Sequence, residues 1–364
     1  MKQAPHLSGF QRYSTRVAVH EWGSVCYVYI CLKASLACRE PNGSSRDAIL
    51  MRRVASGPML AILLTAVAGS LLHEAVEKND AVRIAQALNT SKNEQRRMLE
   101  TLDENDIMPI HSAAYHGHTE AMVALVKGGA PLNARAHGDM TALHWATGQG
   151  HDDILKLLIE AGADVEARDG GGRTALHFAS ARGHVESLRA LVEANVSLEV
   201  LSARNVTALQ MASEQGFADA VRVLAAAGAR LEAQADEMKL AALHAAAAMG
   251  HVDVVQVLLG AGAAIEVRDA RLRTPLHMAA AMGQVAVLEA LVAAGAALEA
   301  EDSDRLTPRR LAGRSGRKAA VRALRAAGAK SPWPPVRAVA RACALLKRWL
   351  SGGARSASAS RESK

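Results

Sequence analysis

The chain has 364 residues, and half of them are hydrophobic although only 3% are aromatic. A core with so few aromatic rings has to be built from Ala, Leu and Val, so thin, closely stacked helices are expected rather than a globular domain around one large core. The formal charge of +7 is unevenly distributed, since residues 305–364 carry +15, residues 1–56 carry +5 and the middle carries −13, an asymmetry that concerns partners rather than fold.

The N-terminal part begins with residues 1–53, which match no recognisable pattern and are expected to form a poorly ordered extension. Residues 54–72 then form a run of 19 residues without a charge, preceded by Arg52 and Arg53. This length is just enough to span a bilayer. If translation began at Met51, the same stretch would also be similar to a signal peptide.

A capping helix is the preferred interpretation of the apolar segment 54–69, with a signal or membrane segment as the alternative. Leu71 and Leu72 already belong to the first repeat described below, and Pro58 interrupts the apolar run. A membrane segment with basic residues on its N-terminal side would also place the following chain outside the cytosol.

The middle of the chain is repetitive. Similar segments, such as TALHWATGQGH (141–151), TALHFASARGH (174–184) and TPLHMAAAMGQ (274–284), begin at residues 108, 141, 174, 207, 241, 274 and 307. The period is therefore 33 residues, with a single spacing of 34. A degenerate copy, SLLHEAVEKND, begins at Ser70, which gives eight units.

Each unit predicts two helices. Thr141 stands where an N-cap hydroxyl would accept a hydrogen bond from the helix N-terminus, and in two units Pro follows at the first helical position. The first helix runs to a glycine, as at Gly150, which suggests a left-handed C-terminal cap. The second helix, as in residues 151–169, places Ile154 and Leu158 on one face and ends before another glycine, Gly162.

This pattern closely resembles the ankyrin repeat, through the T-x-L-H opening, the Gly-His pair and the GADVEARD ending of residues 162–169. The resemblance covers residues 70–329. It implies an all-α fold, an ankyrin-repeat solenoid of stacked antiparallel helix pairs with hairpin loops, in which each unit buries its apolar face against its neighbours.

Two histidine positions recur once per unit. The first set is His111, His144, His177, His244 and His277, and the second is His118, His151, His184 and His251. A metal site needs ligands that converge on one point, whereas repeated positions lie about one helix-packing distance apart, roughly 8–10 Å. The resemblance implies that these histidines tie loops and neighbouring units together, and no metal or cofactor is expected.

The resemblance also implies where a partner protein would bind, namely the hairpin tips and the concave face of the first helices. The tip residues are His137, Asp139, Asp169, Arg173, Arg204, Asp236, Glu237, Lys239, Asp269, Arg271, Arg273, Asp302, Asp304 and Arg305. The helix-face residues are Tyr115, His116, Gln149, Arg182, Glu214, Gln215, Met249 and Met282. Further residues predicted to line the same groove are Trp145, Phe178, Met211 and Met278.

Two features of this surface leave alternatives open. Met249 and Met282 are equivalent residues of neighbouring units, and they could form an adaptable apolar patch or pack beneath the next loop. The family can be hydroxylated at an Asn in the last extended stretch of a repeat. Asn133 holds that place here, and its counterparts are glutamates such as Glu166.

The C-terminal part is strongly basic. In residues 336–350 the apolar side chains can share one helical stripe, with Arg337 and Arg341 largely elsewhere. Such a helix could dock on the repeat stack, which is the preferred interpretation, or on an anionic membrane or an acidic partner. The final residues, 351–364, are rich in Ser, Gly and Arg and are expected to be disordered.

The sequence therefore predicts a non-enzymatic adaptor or scaffold that binds another protein. It contains no phosphate-binding loop, kinase signature, HExxH or GxSxG motif and no DHHC cluster, and no small-molecule substrate is expected. A membrane-tethered array and nucleic-acid binding through the basic end are the alternatives. The protein is expected in the cytoplasm, with nuclear and membrane-associated locations as further alternatives.

Overall fold

The computed structural model describes residues 58–234 and 236–329, with side chains from Val67 onward. The chain divides into two compact parts, which we call the first unit (residues 1–164) and the second unit (residues 165–364). The 33-residue copies within them are called repeats from here on. Within the described residues every regular element is helical, and no β-strand is present. The predictions for residues 1–57 and 330–364 lie outside the described residues.

The first unit contains three helix pairs and one additional helix. The pairs are α1 (Pro58–Glu77) with α2 (Ala81–Ala87), α4 (Pro109–His116) with α5 (Thr119–Lys127), and α6 (Ala142–Gln149) with α7 (Asp152–Glu160). The additional helix is α3 (Lys92–Leu99), which packs on α1. Helices α1, α4 and α6 contact one another in that order, and α2, α5 and α7 form a second row behind them.

The second unit contains five helix pairs. They are α8 (Ala175–Arg182) with α9 (Val185–Glu193), α10 (Ala208–Gln215) with α11 (Ala218–Ala226), α12 (Ala242–Met249) with α13 (Val252–Gly260), α14 (Pro275–Met282) with α15 (Val285–Ala293), and α16 (Pro308–Arg314) with α17 (Lys318–Ala326). First helices pack on first helices and second helices on second helices. The predicted eight antiparallel helix pairs are thus present in the described residues.

Helix α1 runs through the boundary that the sequence analysis placed between residues 69 and 70. Nothing in Gly69–Ser70 ends a helix, and the predicted first copy from Ser70 is the C-terminal half of α1. A Cβ at Gly69 would come within 2.5 Å of the Thr101 side chain, so the glycine permits close approach of that loop. Where the structure describes the chain, no helix is long and apolar enough to cross a membrane.

The core is thin and built from small and aliphatic side chains, as the composition predicts. In the second unit the first helices bury residues such as Leu243 and Ala246, and the second helices bury Val254, Val255 and Leu258, all at most 1% exposed. Each layer therefore gains its burial from the next helix pair, which is how repeat proteins are stabilised.

The first set of histidines ties consecutive loops together. His244 Nδ1 accepts the backbone N–H of Ala241 at 3.2 Å, and its Nε2 donates to the carbonyl of Arg273 at 2.9 Å. His277 makes the same two bonds, with Thr274 and Leu306. Each ring spans from its own helix N-terminus to the next hairpin, so the predicted structural role of these histidines is confirmed.

Three of the residues that replace a histidine at these positions preserve the bond between repeats, whereas Phe217 has no side-chain group that could do so. Gln210, which replaces the first histidine, accepts the N–H of Thr207 at 2.8 Å and donates to the carbonyls of Ala233 and Leu240. In the second set, His251 Nε2 donates to the carbonyl of Glu214 at 2.9 Å. Two replacements in that set bond equivalent carbonyls, namely Gln284 with Ala248 and Arg317 with Ala281.

Left-handed glycines end the first helices, as predicted, and the next histidine needs the space they leave. Gly216 has φ +85°, and a Cβ there would lie 2.6 Å from the ring of His251. Gly228 has φ +90°, but a Cβ there would meet nothing within 4 Å. Comparison of alanine substitutions at Gly216 and Gly228 therefore separates the free-energy cost of the left-handed backbone from the cost of displacing the His251 ring.

We expect Gly216→Ala to lower the free energy of unfolding by about 3 kcal/mol, and Gly228→Ala by about 1 kcal/mol. Both alanines are strained by the left-handed backbone, but only the first displaces the imidazole of His251. Urea unfolding followed by circular dichroism measures both values. Equal losses for the two variants would contradict the proposed contact.

Candidate partner-binding surface

The residue immediately before the left-handed glycine that ends each of the first helices α4, α6, α8, α10, α12 and α14 occupies what we call the helix-end position. Its occupants are His116, Gln149, Arg182, Gln215, Met249 and Met282. Gln149 is half-buried and the other five are exposed. Four residue types stand at this position in the six repeats while the glycine that follows it is constant, so packing does not determine which residue stands there.

The two methionines at this position are among the most exposed apolar residues of the second unit, with Met249 53% and Met282 49% exposed. They belong to the consecutive first helices α12 and α14, which pack against each other. Of the two alternatives for these side chains, the structure therefore supports the apolar patch and not burial beneath the next loop.

Two other methionines do not line this surface. Met211 and Met278 were predicted to face the groove, but each is only 8% exposed. They follow Gln210 and His277 on the same helices, and that face packs against the neighbouring first helices. Their place in the predicted binding set is corrected, because a buried side chain cannot contact a partner in this structure.

Aromatic residues of the predicted set cluster in the first unit. Tyr115 is 45% exposed, and its ring meets the half-buried ring of Trp145 edge to face, with centroids 5.4 Å apart. His116 approaches Tyr115 in the same manner, at 5.0 Å. Helices α4 and α6 therefore present a cluster of aromatic side chains, in which Tyr115 is exposed and Trp145 is half-buried.

The hairpin tips of the second unit are built around aspartates that the sequence analysis assigned to recognition. Asp269 Oδ1 accepts the backbone N–H groups of Arg271 and Arg273, both at 2.8 Å. Asp169 and Asp302 make the same pair of bonds in their own tips. All three are buried. These aspartates hold the tip backbone, so their prediction as recognition residues is wrong.

Two arginines of the predicted set are also used inside the tips. Arg273 pairs with Asp269 at 2.7 Å, and only 17% of its side chain is exposed. Arg173 pairs with Asp169 at 2.7 Å and lies over the Phe178 ring, 4.4 Å from its centroid. Both guanidinium groups are thus held by their own hairpins, and Phe178 is half-buried beneath one of them.

The electrostatics of the Asp169 tip favour a charged carboxylate. Burial alone would raise the pKa of Asp169, but the hydrogen bonds from the Arg173 side chain and backbone outweigh burial and hold the pKa below its ordinary value. The ion pair is therefore a structural element of the tip and is present at neutral pH.

The remaining tip cations are directed to solvent. Arg204, Lys239, Arg271 and Arg305 are exposed, and their side chains have no hydrogen bond or ion pair with any described residue. His137 in the first unit, and Glu214 and Gln215 at the end of α10, are exposed as predicted.

Two exposed tip residues were missed in the sequence analysis. Met238 is 40% exposed and Leu272 is 47% exposed, and each stands in a hairpin tip between two repeats. The signal was present in the sequence, because most corresponding places in the other tips hold charged, polar or glycine residues such as Gly172 and Asn205.

Asn133 has a structural role at the position noted for hydroxylation. Its Oδ1 accepts the backbone N–H of Asp164 at 2.8 Å. The glutamates at the corresponding position do the same, as Glu199 does with Arg230 and Glu266 with Ala297, both at 2.8 Å. This side chain links each repeat to the next, and hydroxylation of Asn133 stays a prediction.

Metal-binding chemistry finds no support at these positions. In the part of the chain that the structure describes, no three His, Cys, Asp or Glu side chains are grouped so that they could hold a metal ion. The recurring histidines stand one per repeat, and their ring nitrogens bond to backbone groups instead.

Comparisons with known proteins agree with this geometry. Family models of ankyrin repeats match residues 72–169 and 243–331 in one case and residues 148–192 in another. The chain belongs to the ankyrin repeat family. Its fold class is an all-α ankyrin solenoid, as predicted from the repeat pattern.

Solved structures show the same fold. The ankyrin repeat domain of human ASB11 is 26% identical, with a TM-score of 0.54 over 63% of this chain and 100% of that domain. The ankyrin repeat domain of Bcl-3, described as a unique member of the IkappaB protein family, is 29% identical, with a TM-score of 0.54 over 61% of this chain and 100% of that domain. Comparison with curated proteins finds no match.

Proposed function

We propose that this protein is a non-enzymatic adaptor or scaffold that binds a partner protein through its first-helix face and hairpin tips. Ankyrin repeats are generally protein–protein interaction modules. The observation that carries the proposal for this chain is the helix-end position, which is exposed in five of six repeats and holds four different residue types while the glycine that follows it is constant.

The types of residue at the surface support binding of a protein. Tyrosine and arginine are enriched among the residues that dominate the energy of protein interfaces, and Tyr115 and Arg182 are both exposed. The unbranched side chains of Met249 and Met282 adapt to a partner surface at low cost. Within the second unit, Met249 and Met282 provide apolar contact, and the polar residues Arg182 and Gln215 stand at the same position of the preceding first helices, a mixture that is usual in such interfaces.

The proposal that the chain is not an enzyme is supported by how its titratable groups are used. His177, His244 and His277 each have both ring nitrogens bonded to backbone groups, so none is free to transfer a proton. We also propose a cytoplasmic location, since the repeat array from residue 70 to residue 329 contains no cysteine and needs no disulfide bond.

The test is affinity capture with paired variants of the full chain. Wild-type protein carrying a C-terminal tag is expressed in cells, and the proteins that co-purify are identified by mass spectrometry. The surface variant is Met249→Ser with Met282→Ser. The control is Gln256→Ser with Glu289→Ser, which alters two exposed residues on the second helices α13 and α15.

We expect a defined set of partners that the control retains and the surface variant loses at least tenfold, with unchanged thermal unfolding for both variants. Partners that are lost equally with both variants would place binding elsewhere on the chain. Recovery of no protein above background with wild type would contradict the adaptor function.

A further inference from the structure

The exposed apolar side chains of the second unit are concentrated in two consecutive repeats. Among its described residues, the large apolar side chains that are exposed are Met238, Met249, Leu272 and Met282. Met249 and Met282 stand at the helix-end position, whereas Met238 and Leu272 stand in neighbouring hairpin tips. The tip pair is the part of this pattern that is not explained by the helix face.

The backbone at Leu272 makes its presence more unusual. Its φ is +57°, a left-handed conformation that L-residues with a side chain adopt at a cost. In two other tips the same place holds Gly172 and Asn205, which tolerate this conformation best, and in two more it holds the charged residues Lys239 and Arg305. An exposed leucine there contributes little to the core and strains the turn, so folding does not account for it.

Neighbouring tips are held in register by their backbones. The N–H of Ala270 donates to the carbonyl of Met238 at 2.9 Å, and the N–H of Ser303 donates to the carbonyl of Arg271 at 2.9 Å. Each tip is also fixed internally, by Ser202 in the tip of Arg204 and by an aspartate in the other three. The side chains that project from the tips therefore have positions set by rigid turns.

Unpaired cations share these tips with the two apolar side chains and outnumber the exposed acids. The exposed and unpaired side chains Arg204, Lys239, Arg271 and Arg305 place one positive charge on each of four consecutive tips, whereas the exposed acids of the same tips are Glu237 and Asp304. By contrast, Arg273 forms an ion pair with Asp269 of its own tip. We call Met238, Leu272 and these four cations the tip surface.

We propose that the tip surface binds an acidic segment of another protein that carries large apolar side chains. This inference rests on the proposed function and names the chemistry of the partner. Unpaired cations attract carboxylates, and the two apolar side chains contact the partner's apolar residues. The strain at Leu272 is retained because its side chain is needed at that place.

The charge of the chain argues against its own ends as occupants. Residues 1–57 contain eight basic and three acidic residues, and residues 330–364 contain eight basic and one acidic residue. Both segments are positive, as the tip surface is, so they are repelled from it. A separate acidic chain has the complementary charge.

The spacing of the tips suggests an extended segment. Packed helices lie roughly 8–10 Å apart, and so do the tips they carry. A segment in the polyproline II conformation advances about 3.1 Å per residue with three residues per turn, so residues three apart lie on one side and meet successive tips. The partner is therefore expected to present an apolar residue at about every third position between acidic residues.

The experiment uses the full chain and three synthetic probes measured by fluorescence anisotropy. The first is the peptide DELDELDELDE, the second is DEGDEGDEGDE with the same charge, and the third is a 12-nucleotide single-stranded DNA. The apolar variant is Met238→Ser with Leu272→Asn. The charge variant is Lys239→Ser with Arg271→Ser.

Matched controls remove the same chemistry elsewhere in the chain. Val82→Ser with Leu102→Ser removes two exposed apolar side chains of the first unit that lie outside the proposed binding surface. Arg322→Ser with Arg325→Ser removes two exposed cations from α17. Thermal unfolding of every variant is recorded, and the apolar variant should unfold at a temperature no lower than wild type, because asparagine suits the left-handed backbone of position 272.

We expect wild type to bind the leucine peptide at least tenfold more tightly than the glycine peptide. The apolar variant should bind the two peptides equally, the charge variant should bind both about tenfold more weakly, and both controls should stay within about twofold of wild type. Added salt should weaken binding of both peptides.

Four results would overturn the inference. One is a leucine preference that survives in the apolar variant, and another is a loss of equal size in a control. The third is tighter binding of DNA than of either peptide, which would make the tips a nucleic-acid surface. A dimer detected by light scattering and lost in the apolar variant would assign the tips to a second copy of the chain.

The two proposals fail separately. If the tip variants leave peptide binding unchanged while the helix-face variant still loses its captured partners, only the inference about the tips is wrong. If neither peptide binding nor partner capture responds to any surface variant, the proposed function is wrong as well.

Discussion

His244→Ala should lower the free energy of unfolding by about 3 kcal/mol, one of the largest effects expected from a single side chain in this molecule. The substitution leaves the backbone N–H of Ala241 without a partner and removes one bond from the carbonyl of Arg273. It also leaves a cavity where a fully buried ring stood. An unsatisfied buried polar group costs about 1–3 kcal/mol, and the cavity adds to that cost.

The matched variant is His244→Gln, because the chain itself uses glutamine at this position in another repeat. Gln210 accepts a backbone N–H and donates to two carbonyls, which reproduces the bonds of the histidine. We expect His244→Gln to cost less than about 1 kcal/mol in chemical unfolding. A glutamine variant as unstable as the alanine variant would show that ring packing, and not hydrogen bonding, is what the position supplies.

The second large effect is a loss of stability in mild acid. Burial is the main cause that lowers the pKa of four imidazoles below their ordinary value, against the weaker opposing effect of backbone hydrogen bonds. The four residues are His111, His177, His244 and His277. In each ring Nε2 donates to a carbonyl, and protonation is opposed because burial disfavours the charged form.

The pH dependence follows from the direction of these shifts. The unfolded chain binds protons at its histidines as the pH falls through about 6.5, whereas the folded chain resists protonation. Stability from the neutral histidines is therefore fully present above that pH and decreases as the pH falls toward the lowered folded pKa values. We expect the urea midpoint to fall between pH 7.5 and pH 5, before the carboxylates titrate.

Removal of two titrating rings should flatten this dependence. His244→Gln and His277→Gln together leave the hydrogen bonds but remove two of the four groups, so the slope of stability against pH should become shallower. An unchanged slope would mean that other groups titrate in this range, and stability rising toward acid pH would contradict the buried neutral state.

Much of the fold could be predicted because the same physical requirement recurs every 33 residues. A glycine such as Gly216 is needed for its left-handed backbone and for the space above it, and a histidine such as His244 is needed to satisfy two backbone groups. One residue alone would carry little information, but seven similar segments at a fixed spacing leave few other structures.

The candidate surface was predicted less well, because exposure depends on neighbours that are distant in sequence. Met249 and Met278 are both methionines on first helices, yet one is 53% exposed and the other 8%. Their difference is set by the adjacent helix and not by their own segment. The sequence pattern could not separate them without the stacking of the repeats.

The tips show the same limit for charged residues. Arg271 and Arg273 are two residues apart, and both were predicted to bind a partner. Only the geometry around Asp269 shows that the second is held in an ion pair while the first is free. The D-x-x-x-R spacing could have indicated the pair, but its meaning depends on the tight turn between them.

The central claim is that this protein recognises another protein through its helix-end positions. Site-specific photo-cross-linking tests it most directly, with benzoylphenylalanine placed at Met249 and Met282 and, as controls, at Gln256 and Glu289 on the second helices. The account predicts one common cross-linked protein from the two methionine positions and little or none from the controls. Cross-links of equal yield from all four positions, or from the second helices alone, would contradict it.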